Sequence, residues 1–185
     1  MDHTLLPESS KPILEEFLSE FEPVYFEKNE IIKQAATSER YLYFIKTGCI
    51  GIYIENSSNF VCLDFGLEGH FTCDYLSILL NKPTPLILIA LENTNALRIT
   101  ATRYEQLSQD PRYKNVRLAA SEYLLINKFQ EQINLLTKTA KERYQLLQEQ
   151  YPGIENRIAQ VHIASYLGIT PQSLSRIRSR YKQAI

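Results

Sequence analysis

The stretch HIASYLGITPQSLSRIRSRYKQAI closes the chain, and its basic residues are spaced for work on a polyanion. Arg176, Arg178, Arg180 and Lys182 fall within seven residues, and no Asp or Glu occurs from residue 156 to the end. An acid-free run is what an approach to phosphates requires electrostatically. Residues 151–185 carry five basic side chains against the single acid Glu155, a formal +4, in a chain of formal charge -1. The first 150 residues keep 15 basic and 20 acidic side chains, a formal -5, so a polyanionic partner is expected for the tail and not for the rest.

Two short helices would have to present these residues. From Ile158 to Leu167 apolar residues stand at 158, 159, 161, 163, 164, 166 and 167, enough to bury one helical face. Gly168 can end that helix in a left-handed conformation. Thr170 can cap a second one, with Pro171 at its first position, where a missing amide hydrogen loses no bond. Two helices joined by three or four residues, the first ending in glycine, form a helix-turn-helix signature. In the second helix Leu174, Ile177 and Tyr181 should pack inward, leaving Gln172, Ser173, Ser175, Arg176, Arg178, Ser179, Arg180 and Lys182 outside. Such a helix fits the major groove of double-stranded DNA. Gln172, Ser173 and Arg176 are the expected base readers; Thr170, Ser175, Arg178, Arg180 and Lys182 are expected on phosphates. Spacing alone does not decide which of Arg176 and Arg178 faces the groove.

Other chemistry lacks residues to rest on. His3, His70 and His162 are too scattered to converge, and Glu68, His70 and Asp74 around one turn read as surface, so no metal site and no cofactor are expected. Cys49, Cys62 and Cys73 are odd in number with no close pair, which argues against a disulfide framework or a four-thiolate cluster. Serine nucleophile elbows, phosphate-cradling glycine loops and the zinc-protease histidine pattern are absent, and no enzymatic activity is expected. The N-terminus lacks the basic and apolar regions of a signal peptide, and no stretch reaches the roughly 18 apolar residues of a membrane span, so a cytoplasmic, reducing setting is expected.

Upstream, the pattern from Pro12 to Phe21 reads as a short amphipathic helix. Residues 24–100 then change period into short segments rich in branched and aromatic residues, separated by turns at 28–30, 46–48, 55–59 and 66–70. Many short strands with few helices favour a jelly roll or small barrel. Residues 74–80 interrupt them as one short helix. Helical periodicity resumes at Thr102 and again from Pro111, where a stripe runs through Leu125, Phe129, Ile133, Leu136, Ala140, Tyr144 and Leu147, with Ala119, Ala120 and Ile126 extending it. A second copy is the economical cover for that stripe, so Leu125, Phe129, Ile133 and Leu136 are expected at a homodimer seam. A break is expected near Thr137 to Thr139, and Tyr151-Pro152-Gly153 should end the run. The expected domains are a barrel at 1–110, a dimerisation and connecting helix at 111–150, and a helix-turn-helix unit at 151–185.

The order barrel, long helix, helix-turn-helix resembles the CRP/FNR superfamily of bacterial transcription regulators, over about residues 20 to 183. The resemblance is carried by YLYFIKTGCIGIY at 41–53 and HIASYLGITPQSLSRIR at 162–178. It implies an α+β protein with a cyclic-nucleotide-binding-like jelly roll, a dimerisation helix and a DNA-binding domain. Family members commonly meet bases through an arginine, a glutamate and a later arginine, where this chain has Pro171, Gln172 and Arg176, so the usual target sequence is not implied. Members that bind cyclic AMP have a glycine-glutamate pair before the small helix and an arginine with serine or threonine after it. This chain has Cys73-Asp74 and Thr84-Pro85 instead. With no arginine for the phosphate, and Pro85 removing an amide donor, cyclic AMP binding is not expected. Asp74 and Thr84 remain the candidates for bordering a pocket for some other small effector.

The chain stops at Ile185, where the family often continues into a β-hairpin wing, so affinity should lean on the dimer and on phosphate contacts. The expectation is a homodimeric, sequence-specific DNA-binding regulator on a palindromic site, its recognition helices roughly 34–36 Å apart, with RNA polymerase a candidate partner. The alternative is a protein-interaction or scaffold module built on the barrel.

Overall fold

The computed structural model describes residues 11–56 and 59–182; the turn expected across 55–59 and the end of the chain fall partly outside them. An N-terminal helix, α1 (Lys11–Leu18), precedes eight strands: β1 (Glu22–Phe26), β2 (Ile31–Lys33), β3 (Tyr41–Thr47), β4 (Ile50–Asn56), β5 (Asn59–Gly66), β6 (Phe71–Thr72), β7 (Leu86–Ala90) and β8 (Thr94–Thr100). The short α2 (Tyr75–Leu80) lies between β6 and β7. All pairings are antiparallel, in two four-stranded sheets ordered β1-β8-β3-β6 and β2-β7-β4-β5. This is the expected jelly roll. The sequence reading did not separate out β6, whose two residues show no period.

Strand β3 illustrates how the layers are built. Leu42, Tyr43, Phe44 and Ile45 are all buried because both faces of the strand are covered. Tyr43 and Ile45 point between the sheets with Phe26, Ile50 and Leu88, while Leu42 and Phe44 pack under Phe17 and Phe21 at the N-terminal end. Gly48 makes the turn into β4 at φ 100°, and a Cβ there would stand 2.5 Å from Thr94 Oγ1 and 2.7 Å from the Asn93 carbonyl oxygen. Only glycine fits.

The helices follow their caps. Thr100 caps α3 (Ala101–Leu107), and Asp110 caps α4 (Pro111–Thr137), with Pro111 at its first turn. Helix α4 has 27 residues and so spans about 40 Å. It stops where the break was expected, because Thr139 and Glu142 form a capping box that starts α5 (Ala140–Gln150). The apolar stripe divides at that break. Leu125, Phe129, Ile133 and Leu136 stay at least half exposed on α4, whereas Tyr144 and Leu147 of α5 are buried with Ile154, Ile163, Leu167 and Leu174. By its contacts α5 packs with the C-terminal helices, so the expected boundary at 150/151 cuts through a shared core. Among the described residues no helix is long and apolar enough to cross a membrane.

Candidate nucleic-acid interface and the barrel behind it

The C-terminal pair is α6 (Gln160–Tyr166) and α7 (Pro171–Lys182). Helix α6 ends in a Schellman arrangement: Gly168 N donates to the Ser165 carbonyl at 3.0 Å and Ile169 N to the Ala164 carbonyl at 2.9 Å, with Gly168 at φ 66°. Thr170 Oγ1 then accepts from Ser173 N at 3.2 Å and so caps α7. Leu174 is fully buried and Ile177 packs on the same core, which turns the opposite face of α7 outward.

That outer face holds Gln172, Ser175, Arg176 and Ser179, all exposed, with Thr170 exposed at its start and Ser173 half-buried beside them. Arg178 departs from the expectation of a free phosphate contact. Its Nε lies 2.5 Å from Glu155 Oε1, and the same carboxylate oxygen accepts from the Tyr144 hydroxyl at 2.8 Å, so Arg178 ties α7 to α5. Of the two arginines, Arg176 is exposed and Arg178 is half-buried against Glu155. Helix α7 continues through Arg180 and Lys182, but their side chains and that of Tyr181 lie outside the described residues.

Behind α7, helix α6 seats on the barrel. Strand β5 is the edge of its sheet and presents unpaired backbone groups there. Ser165 Oγ accepts from Cys62 N at 2.8 Å and lies 3.1 Å from the Phe60 carbonyl, to which it donates, so one hydroxyl does the work of a neighbouring strand. Tyr53 OH meets His162 Nδ1 at 2.8 Å. Burial, then the charge of Lys28, hold His162 below its usual range. Arg157 gathers three barrel turns: it bonds Glu68 at 2.7 and 3.0 Å, Glu92 at 2.7 Å and the Gly48 carbonyl at 3.3 Å. Burial opposes ionisation of Glu68, but Arg157 and the Gly48 amide outweigh it and hold the carboxyl below its usual value. Arg157, His162 and Ser165 were not singled out by spacing, since each acts on residues about 65 to 109 positions away in the chain.

The barrel corrects one expectation outright. Asp74 and Thr84 do not border an open pocket; both are buried, and Thr84 Oγ1 donates to Asp74 Oδ2. Lys33, missed in the sequence, lies 3.0 Å from Asp74, with side chains 3% and 0% exposed. Lys33 also donates to the Leu86 carbonyl at 2.8 Å, and Asp74 caps α2 through Ser77 N at 3.0 Å. Burial pushes the neighbouring Glu39 carboxyl up although backbone amides of Asp74, Tyr41 and Arg40 donate to it. At the places where the resemblance sets a cyclic-AMP binder's glutamate and arginine, Asp74 and Thr84 are instead joined to Lys33 and to each other in the interior, while Lys82, just after α2, is exposed. The large opening is elsewhere, a cleft of about 700 Å³ between β5, α2, α4 and α6 that neither Asp74 nor Thr84 lines. Among the described residues no group of three or more His, Cys, Asp or Glu is placed to hold a metal ion.

Comparison with known proteins agrees with this architecture. Residues 23–110 match the family model of the cyclic nucleotide-binding domain. No curated protein sequence matches the chain at a significant level. Among solved structures, FixK2 from Bradyrhizobium japonicum is similar at TM-score 0.77 and 20% identity, over 89% of this chain and 86% of that one. The c-di-GMP-responsive global regulator CLP of Xanthomonas campestris is similar at TM-score 0.71 and 15% identity, over 94% and 92%. A CooA mutant from Carboxydothermus hydrogenoformans is similar at TM-score 0.70 and 19% identity, over 91% and 79%. Residues 23–110 are thus similar to the cyclic nucleotide-binding domain, and over nearly its whole length the chain shares the fold of FixK2, CLP and CooA.

Proposed function

We propose that the chain is a sequence-specific regulator of transcription that binds double-stranded DNA as a homodimer, and that cyclic AMP is not its effector. The observation that carries this reading is the outward face of α7, where Gln172, Ser175 and Arg176 stand exposed on a helix whose other side is sealed by Leu174 and Ile177. Arg176 is suited to guanine, Gln172 to adenine, and Thr170 and Ser175 to flanking phosphates. The described role of CLP as a global regulator supports the same reading. Against cyclic AMP stands the Thr84-Pro85 place, which offers no arginine for the phosphate and whose threonine hydroxyl is bonded inward to Asp74 and Lys33.

Duplexes selected from a random pool, and scrambled versions of them, test the proposal by fluorescence anisotropy across a salt series. Wild-type protein should prefer the selected duplex, and Arg176→Ala should lose about 1–3 kcal/mol on it while its binding to scrambled DNA changes far less. Equal, weak binding of both duplexes by both proteins would remove Arg176 as a base reader and favour an interaction module built on the barrel.

A further inference from the structure

Building on the reading of the barrel as a sensor, we propose that the cleft between the barrel and α4 binds a monocarboxylate with an apolar body, its carboxylate held by Arg117. The cleft's volume of about 700 Å³ lies within the span of small-molecule sites. Much of its wall is apolar or aromatic, including Phe17, Phe71, Tyr75, Tyr104 and Leu124.

The charged groups decide the ligand class. Three side chains with ammonium or guanidinium heads line the cleft: Arg117, Lys128 and Arg143. Lys128 is held 2.6 Å from Asp64 and 2.8 Å from Glu131. Arg143 donates to the carbonyls of Lys138 at 2.6 Å and Leu167 at 2.8 Å, closing the ends of α4 and α6. Arg117 has no such engagement. Among the described residues it forms no ion pair, and its guanidinium carbon rests 5.6 Å from the centre of the Tyr104 ring. Beside Tyr104 stands Tyr75, whose hydroxyl lies 3.3 Å from Ser121 Oγ, one helical turn along α4 from Arg117. Arg117, among the described residues the one of the three heads with neither a hydrogen bond nor an ion pair, together with a row of hydroxyls on an apolar wall, matches one carboxylate on a hydrocarbon or aromatic body. A neutral ligand would cover the guanidinium without pairing it.

The same cleft reaches Tyr166, Leu167 and Gly168, the end of α6 and the turn into α7.

Isothermal titration calorimetry on the full chain, without DNA, tests this with two probes and their neutral counterparts: decanoate against decanamide, and 3-phenylpropanoate against 3-phenylpropanamide. At least one carboxylate should bind, roughly tenfold tighter than its amide. Arg117→Gln should abolish that preference, and Arg117→Lys should keep part of it. Binding by decanoate alone assigns an aliphatic body, and by 3-phenylpropanoate alone an aromatic one. Equal affinity for acid and amide, no heat with any probe at about 1 mM, or an unchanged preference in Arg117→Gln overturns the proposal. The acid-to-amide comparison in wild-type protein stands even if Arg117→Gln fails to fold. Because no DNA enters the titration, loss of this proposal leaves the anisotropy result intact, and failure of specific DNA binding leaves the titration intact.

Discussion

Lys33 and Asp74 show how one buried pair closes part of the barrel and makes stability depend on both partners. A buried charge without its partner is expensive, whereas the two together, with the Leu86 carbonyl, Thr84 hydroxyl and Ser77 amide completing their hydrogen bonds, form a closed polar island. Lys33→Met should therefore destabilise the fold by about 3–5 kcal/mol in chemical denaturation, since Asp74 would be left in the interior without its partner. A loss under about 1 kcal/mol would mean that water reaches the pair. The cysteines carry a quieter lesson: burial pushes all three thiols up, Cys62 to about 12, which keeps them in the unreactive protonated form.

At the scale of elements, the seat of α6 on β5 joins the C-terminal helices to the barrel, and His162 makes that seat sensitive to pH. Because burial depresses the folded-state value below the usual 6.5, the unfolded chain takes up this proton more readily than the folded one. The stability that neutral His162 contributes is whole above pH 6.5 and is lost as pH falls through that value towards the folded one. The melting-temperature difference between wild type and His162→Gln should accordingly shrink from pH 7.5 to pH 5.5. His3, His70 and the raised carboxyls of Glu39 and Glu131 are common to both proteins and cancel in the difference. A difference that stays constant over this range would show that His162 titrates as it does in the unfolded chain.

For the whole molecule, α4 has two apolar sides with different destinations. Leu124 and Ala120 line the cleft with the barrel, while Leu125, Phe129, Ile133 and Leu136 face away from it and remain exposed. Burying each of the latter large side chains is worth about 1.5–3 kcal/mol, which makes a second copy of α4 an effective cover. The double variant Leu125→Glu, Phe129→Glu should run as a monomer in size-exclusion chromatography with light scattering and should bind a palindromic duplex no better than a half-site. Retention of the wild-type mass would place the seam elsewhere.

Much of this was legible along the chain because it is local. The seven longer strands follow from β-branched and aromatic runs between turn residues, the break after α4 from the β-branched pair Thr137 and Thr139 about Lys138, and the helix-turn-helix from Gly168, Thr170 and Pro171, all of which act on neighbours within a few positions. The inward or outward fate of Arg178, the closure of the pocket around Asp74, and the seat of α6 depended on partners brought in from far along the chain. Glu155 is 23 residues from Arg178, Lys33 is 41 from Asp74, and Cys62 is 103 from Ser165. Periodicity decides which face of an element is buried; only the folded chain decides which charge waits on the other side.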